Sequence, residues 1–306
     1  MKLDTLTLTA LGHELDVSPE AFGELTSSKD LLGNPEALRA RMKADGYLYL
    51  PGLLDREEVL AARREVTDRL QTAGHLDPAY PPMDAVAQAD AKISFLPEVA
   101  RNNGPLSTVL YSGAMMDFFA RFLGGPVLHY DFTWFRAVAP GKGAPPHADV
   151  PYMGRGTHNV YTAWTPIGDV NMEMGGLMVL EGTRDHESRL QSYYKKDVDS
   201  YCTNGLHAPE IEAGKRWWGA FDGVLSKDPP EMLKKFGGRW LTTGFSAGDV
   251  LIFSIYTVHG SLDNHSKHIR LSSDSRYQLA SEPVDQRWMG ENPAGHGVAG
   301  KRGRIC

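Results

Sequence analysis

A chain of 306 residues has room for one large domain or two ordinary ones. Its hydrophobic share of 42% and charged share of 23% are those of an ordinary globular protein, which excludes extended disorder. The formal net charge is -6, and no basic run exceeds Lys195-Lys196 or Lys301-Arg302-Gly303-Arg304, which argues against a nucleic-acid partner.

The first ten residues, Met1 to Ala10, lack the apolar core of a secretory leader. No apolar stretch approaches the roughly 20 residues that a membrane helix needs, so no membrane partner is expected. Arg304-Ile305-Cys306 is not a peroxisomal address of the Ser-Lys-Leu type. Cys202 and Cys306 lie far apart in sequence, so a disulfide framework is not expected and a reducing cytoplasm is the default location.

In chain order, Asn34-Pro35 precedes a short amphipathic helix over 36–44, stopped at Asp45-Gly46. Tyr47 to Leu50 reads as a strand ended by Pro51-Gly52. Asp55 caps a helix from Arg56 to Ala73 with Val59, Leu60, Val66 and Leu70 as its apolar stripe. A third helix is predicted from Pro105 to Phe122, closed by Gly124-Gly125-Pro126. Then the pattern changes to β-rich runs at Val127–Arg136, Val160–Pro166, Gly176–Leu180, Asp249–His259 and Ile269–Leu279. Spaced strands with glycine, proline and asparagine between them predict a mainly β fold with flanking helices, its core a double-stranded β-helix of jelly-roll or cupin-like type. The economical division is one domain over 1–306: a helical layer at about 1–125, a jelly-roll core at about 127–280, and an excursion at about 188–245 over the pocket mouth. Within it, Trp217, Trp218 and Phe221 read either as a lid wall or as an anchor to the core. Glu291 to Cys306 is glycine-rich and predicted to be peripheral or mobile.

The chemistry gathers around Pro145-Pro146-His147-Ala148-Asp149. On an extended backbone residues i and i+2 share a face, so His147 and Asp149 reach one ion while Ala148 points away. Alone, a His-x-Asp is common by chance. His259, near the end of the Asp249–His259 run, supplies a second imidazole from a neighbouring strand. Two histidines and a carboxylate cap one face of Fe(II) and leave the other positions for substrate and O2. After a turn-like Asp263–Lys267, Arg270 returns on a strand expected to run antiparallel beside that of His259. An inward arginine is costly unless a carboxylate meets it, which suits the dicarboxylate 2-oxoglutarate.

At these residues the chain resembles the phytanoyl-CoA dioxygenase family of Fe(II)/2-oxoglutarate-dependent oxygenases. The resemblance runs from about Asp45 to Leu279. It is carried by Gly46-Tyr-Leu-Tyr-Leu-Pro-Gly, Pro146-His-Ala-Asp149, Trp164-Thr-Pro-Ile-Gly-Asp169, Glu173 to His186, Gly248-Asp-Val-Leu-Ile-Phe253, His259-Gly-Ser261 and Arg270. The chain departs from the family where Met174-Gly175 replaces Asn-Gly and Glu181-Gly-Thr-Arg184 replaces Pro-Gly-Ser-His, both in turns. The resemblance implies that His147, Asp149 and His259 bind iron, that Arg270 and Ser261 hold 2-oxoglutarate, and that Trp164 lines the cofactor pocket or is a plain core tryptophan. Related halogenases replace the carboxylate at Asp149 with a small residue, so its presence implies oxygenation.

The expected reaction is hydroxylation of an aliphatic C–H bond in a small metabolite or natural-product intermediate, with desaturation, epoxidation or ring formation as alternatives on the same cofactors. A cupin-type metal isomerase or hydrolase and a non-catalytic binding module are the readings from other classes. The chain is expected to act as a monomer or homodimer. Tyr130, Trp134 and Arg136 alternate along one predicted strand and with Trp218 are candidates for the substrate pocket, against a filled interior. Arg276 reads as a second anion contact or, more simply, a cross-strand ion pair. His158, His186, His265 and His268 fall in polar turns, and Gly141-Lys142-Gly143 is too short for a phosphate loop.

Overall fold

In the computed structural model, which describes residues 7–141 and 143–306, a helical N-terminal third lies against two β-sheets. The leader reading of Met1 to Leu6, and Lys142 of the glycine-flanked loop, lie outside the described residues. A short strand β1 (Phe22–Glu24) precedes helix α1 (Pro35–Asp45). Asn34 opens α1 by accepting from the Ala37 N–H, and Gly46 closes it in the left-handed region at φ 80°. Strand β2 (Tyr47–Leu50) follows, then α2 (Arg56–Thr72), capped by Asp55 through the Glu58 N–H. The third helix is two, α3 (Gly104–Tyr111) and α4 (Gly113–Leu123). Ser112 between them is extended, and its hydroxyl donates to the Thr108 carbonyl at 2.7 Å. A serine that bonds back to the preceding turn competes with helix continuation.

The remaining strands of the two main sheets are β3 (Val127–His129), β4 (Trp134–Val138), β5 (Tyr161–Pro166), β6 (Leu177–Leu180), β7 (Trp240–Thr242), β8 (Val250–Ser254), β9 (His259–Ser261) and β10 (Arg270–Leu279). The larger sheet runs β2, β8, β5, β10, β3, with β4 also on β10; the smaller runs β9, β6, β7, β1. From β5 onward the chain passes back and forth between the sheets, with β5, β8 and β10 in the larger and β6, β7 and β9 in the smaller, as in a double-sheet jelly roll.

Side-chain alternation divides the larger sheet cleanly. Its outer face, with Leu48, Leu50, Phe135, Ala137, Ala163, Val250, Ile252, Leu271 and Tyr277, packs on α1–α4 in one core. There Phe119 stacks on Tyr277 at 4.1 Å. From the inner face, Tyr47, Tyr49, Trp164, Leu251 and Phe253 meet Leu177, Val179 and Leu241 of the smaller sheet. A strand covered on both faces normally reads as a continuous apolar run. Strand β10 instead reads Arg-Leu-Ser-Ser-Asp-Ser-Arg-Tyr-Gln-Leu and is buried almost throughout. Its inner row, Arg270, Ser272, Asp274 and Arg276, is therefore polar where core packing would want hydrocarbon.

Several sequence expectations are corrected. The run Val127–Arg136 is broken at 130–133 into β3 and β4. The run Asp249–His259 is broken between β8 and β9, which belong to different sheets. Strands β9 and β10 do not form a hairpin: β9 pairs with β6, and β10 pairs with β3, β4 and β5. The segment 262–269 is thus a crossing between sheets. The excursion carries β7, a member of the smaller sheet, as well as helices Glu187–Tyr194, Ala208–Glu212 and Pro229–Phe236.

The C-terminal segment is held rather than peripheral. Strand Arg302–Arg304 pairs in parallel with Ser200–Cys202, which brings Cys306 and Cys202 to a Cα separation of 5.4 Å in a disulfide. The expectation of unpaired cysteines fails because distance along the chain says nothing about distance across this strand pair. With it goes the cysteine argument for a reducing cytoplasm. Beside the disulfide, the inaccessible carboxylate of Asp199 pairs with Arg287, Lys301 and His296. No helix among the described residues is long and apolar enough to cross a membrane. Replacing Cys202 by serine is expected to lower the unfolding free energy by about 2–4 kcal/mol, read from urea midpoints with and without a dithiol reductant; the variant should no longer respond to the reductant.

Candidate active site

The loop carrying His147 is stitched to β9 by backbone alone. The His147 N–H donates to the His259 carbonyl and the His259 N–H to the His147 carbonyl, each at 2.9 Å. This reciprocal pair places the two side chains next to each other, their rings 4.3 Å apart. The loop can lie this close because Gly143 has no Cβ: one built there would sit 2.4 Å from the Leu262 carbonyl oxygen. Asp149 is not extended as expected but helical (φ -77°, ψ -21°), at the entrance of the turn Val150–Met153. It still brings Oδ1 to 3.8 Å from Nε2 of both His147 and His259.

The hydrogen bonds around these three groups leave the same atoms free on each. Nδ1–H of His147 donates to the Pro145 carbonyl at 2.8 Å, and Nδ1–H of His259 to the Thr257 carbonyl at 2.9 Å. A carbonyl only accepts, so both imidazoles carry the proton on Nδ1 and turn the lone pair of Nε2 inward. Asp149 Oδ2 accepts from the Thr162 hydroxyl at 2.6 Å and from Arg276 Nη2 at 3.1 Å. Oδ1 is left facing the two Nε2 atoms. The three donor atoms lie within 4.8 Å of one another and suit one divalent transition-metal ion.

Electrostatics keep the site ready for a metal. Burial drives the His147 imidazole down to about 3, helped by His259, so the ring is neutral at physiological pH. Burial likewise lowers His259. For Asp149 burial would raise the carboxyl, but the Arg276 guanidinium and the Thr162 hydroxyl outweigh it and hold the group ionised. Arg276 lies 4.1 Å over the Trp134 ring, in an ion pair whose partners are both almost inaccessible. Arg276 forms an ion pair, but not the cross-strand one expected: its partner is the Asp149 carboxylate on the metal loop.

Arg270 is 1% exposed. Its Nη1 donates to Ser272 Oγ at 2.9 Å, its guanidinium lies 5.9 Å from the Trp164 ring, and its Nε has no partner. Burial, then Arg136, lowers it to about 10. A buried guanidinium with an orphaned N–H and, among the described residues, no carboxylate bonded to it fits an organic carboxylate as its missing partner. Ser261 is inaccessible, and its Oγ accepts from the Ala144 N–H at 2.8 Å, which leaves its own proton to donate elsewhere. Trp164 is fully buried, with an orphaned indole N–H.

His147 and Asp149 open onto a cavity of about 730 Å³. Trp134, Arg136 and Trp218 line it, as do Phe132, Tyr152 and Trp288, which sequence reasoning passed over. Tyr130, expected beside Trp134, is fully buried against it and is not part of the lining, because the strand breaks between them. Gly295, His296 and Gly297 complete the wall from the C-terminal segment. Tyr152, one turn beyond Asp149, was within reach of sequence logic; His296 had no local signal. The excursion is pinned to the metal loop: the Ala148 N–H donates to the Tyr193 hydroxyl at 2.9 Å, and the Leu225 N–H to the Pro146 carbonyl at 2.9 Å. His158 and His265 are exposed, and His186 and His268 are half-buried, all four away from the cavity lining.

The profile of the family described as phytanoyl-CoA dioxygenase (PhyH) matches residues 42–272. The chain is 28% identical over 279 residues to a 1-deoxypentalenic acid 11-beta-hydroxylase of Streptomyces exfoliatus, covering 86% of this chain and 87% of that protein. It is 26% identical over 275 residues to the enzyme of the same description from Streptomyces arenae, with the same coverage. Among solved structures, the epimerase SnoN with Fe3+, alpha ketoglutarate and nogalamycin RO superposes with a TM-score of 0.55 at 19% identity, over 85% of this chain and 93% of that one. EctD from S. alaskensis with 2-oxoglutarate and 5-hydroxyectoine gives 0.54 at 16% identity, over 91% and 87%. At these identities the structures establish the shared fold.

Replacing Arg276 by leucine removes the cation that holds Asp149 Oδ2. The expected outcome is iron affinity about 10- to 100-fold weaker, measured by competition with a chelator. An unchanged affinity would mean that Thr162 alone suffices to orient the carboxylate.

Proposed function

The chain belongs to the phytanoyl-CoA dioxygenase (PhyH) family and is an Fe(II)- and 2-oxoglutarate-dependent oxygenase; from that premise we propose that it hydroxylates an aliphatic C–H bond of a compact, largely apolar natural-product intermediate. His147, Asp149 and His259 hold the iron through Nε2, Oδ1 and Nε2. Arg270 takes the far carboxylate of 2-oxoglutarate, with Ser261 as a further hydroxyl donor and the Trp164 ring as a wall. The observation that carries this reading is the convergence of two imidazole nitrogens and one carboxylate oxygen, each fixed by a bond to its other end, in a sheet interior that also holds the Arg270 guanidinium with its unpartnered Nε–H.

Iron with 2-oxoglutarate supplies the O2-dependent oxidative decarboxylation to succinate and CO2 that drives insertion of the second oxygen atom into a C–H bond. The chain's own residues do the rest. The Pro145 and Thr257 carbonyls hold the ring orientation of the two histidines. Arg276 and Thr162 keep Asp149 ionised and turned. The aromatic wall of Phe132, Trp134, Tyr152, Trp218 and Trp288 keeps water from the reacting carbon and prefers a hydrocarbon substrate. The relatives are named as hydroxylases of an acid, 1-deoxypentalenic acid, and a cavity of about 730 Å³ accommodates a small apolar acid.

Under anaerobic conditions, protein loaded with Fe(II) is expected to give the visible charge-transfer band of a 2-oxoglutarate complex. His147→Ala should abolish it, and Arg270→Ala should raise the 2-oxoglutarate concentration for half-formation by about 10- to 100-fold. Absence of the band in folded, iron-loaded protein would overturn the assignment. In air, succinate formation and a product heavier by one oxygen are expected with 1-deoxypentalenic acid as the first compound tried.

A further inference from the structure

Three guanidiniums, Arg136, Arg270 and Arg276, share the inner face of the larger sheet with the carboxylates of Asp149 and Asp274. Two are accounted for: Arg276 holds Asp149, and Arg270 is sealed away from the cavity at 1% exposure. Arg136 differs from both. It sits on β4 opposite Ser272, one inward step along the strand from Val138, the register partner of Arg270. Its Nε donates to Asp274 Oδ2 at 2.7 Å, and this is the side chain's one hydrogen bond among the described residues. That bond fixes the stem and leaves both Nη atoms without a partner. The side chain is 28% exposed, and the space it borders is the cavity over the metal residues. The Phe95 ring lies 5.8 Å from its guanidinium carbon, and Phe132 and Trp134 border the same space. Asp274 and Asp149 hold Arg136 charged against the cost of burial.

A permanently charged fork, anchored at one end and open at the other in a mostly aromatic chamber, is built for a planar anion. The cavity's other acidic side chain outside the metal site, Asp222, has its Oδ1 taken by the Val224 N–H at 3.0 Å and does not bond Arg136. We propose that Arg136 is the specificity-determining anchor for a carboxylate on the substrate, so that the enzyme takes compact apolar carboxylic acids and rejects their neutral esters. The inference rests on the reading of the site as an iron and 2-oxoglutarate centre. The same chemistry would serve a carboxylate of 2-oxoglutarate. The substrate is favoured because Arg136 opens onto the cavity, whereas Arg270, outside its lining, already offers a buried partner for the co-substrate.

The test uses protein loaded anaerobically with Fe(II) and 2-oxoglutarate, with 1-deoxypentalenic acid and its methyl ester as probes. Binding is followed by calorimetry and by quenching of the cavity tryptophans, and 2-oxoglutarate affinity by titrating the visible band. Wild-type protein should bind the acid at least about tenfold more tightly than the ester. Arg136→Gln should erase that preference by weakening the acid about 10- to 100-fold, with 2-oxoglutarate affinity unchanged within about twofold. Arg136→Lys, which keeps the charge and loses the fork, should fall between. Equal binding of acid and ester by wild-type protein, no binding of the acid, or a loss of 2-oxoglutarate affinity in Arg136→Gln would each overturn the proposal. The ester comparison needs no variant, so it stands even if Arg136→Gln folds poorly. Failure of the band to form in wild-type protein would instead take down the reading of the metal site, and this inference with it.

Discussion

A carboxylate sealed from water has to be held by something, and much of this molecule answers to Asp149. Leaving one partner of such a buried pair alone costs about 3–5 kcal/mol, so its ligands cannot be casual. They come from distant parts of the chain: Thr162 on β5 and Arg276 on β10 hold one oxygen, and the imidazoles of His147 and His259, from the metal loop and β9, turn Nε2 toward the other, where a metal ion would join all three. No local segment can assemble that set. Only when both sheets have formed, and the metal loop has crossed to β9, does the charge find its partners. The reason a strand as covered as β10 carries serines, an aspartate and arginines lies here: its inner row serves the site, while its outer row, with Leu271 and Tyr277, serves the helical layer.

The same row shows how one residue type is given different tasks by its surroundings. Arg276 lies on an aromatic face and clamps a carboxylate of the protein itself. Arg270 has a serine, an indole face and an orphaned N–H. Arg136 is tied down by Asp274 and open on its far side. All three are guanidiniums on one sheet face; the difference lies in what satisfies each fork and what is left over.

The sequence spoke most clearly where chemistry is borne by residue type. His147, Asp149, His259 and Arg270 stood out because a sheet interior has few reasons to hold imidazole, carboxylate and guanidinium together, and the structure brings the first three within 4.8 Å. The helix caps at Asn34 and Asp55 were legible because capping is a contact within one turn. What failed was pairing at a distance. Strand, turn and strand from His259 to Arg270 has the local signature of a hairpin, yet the two strands belong to opposite sheets. Tyr130 and Trp134 looked like one alternating face because four loop residues between β3 and β4 leave no mark on the alternation. The C-terminal segment read as loose from its glycines, whereas its fixity comes from Asp199 and Cys202, which nothing in 291–306 announces. Arg276 was undervalued because its partner lies on the metal loop rather than on a neighbouring strand.

The reciprocal backbone bonds between His147 and His259 separate two kinds of inheritance. They set the two histidines by peptide groups, and the excursion braces the same loop through the Tyr193 hydroxyl on the Ala148 N–H. The excursion and the C-terminal segment, by contrast, wall the cavity. Changes in those outer segments away from Tyr193 and Leu225, which brace the metal loop, would alter the cavity wall and leave the backbone pairing of the histidines intact. A lineage can therefore revise its choice of substrate many times over and keep a single way of activating oxygen.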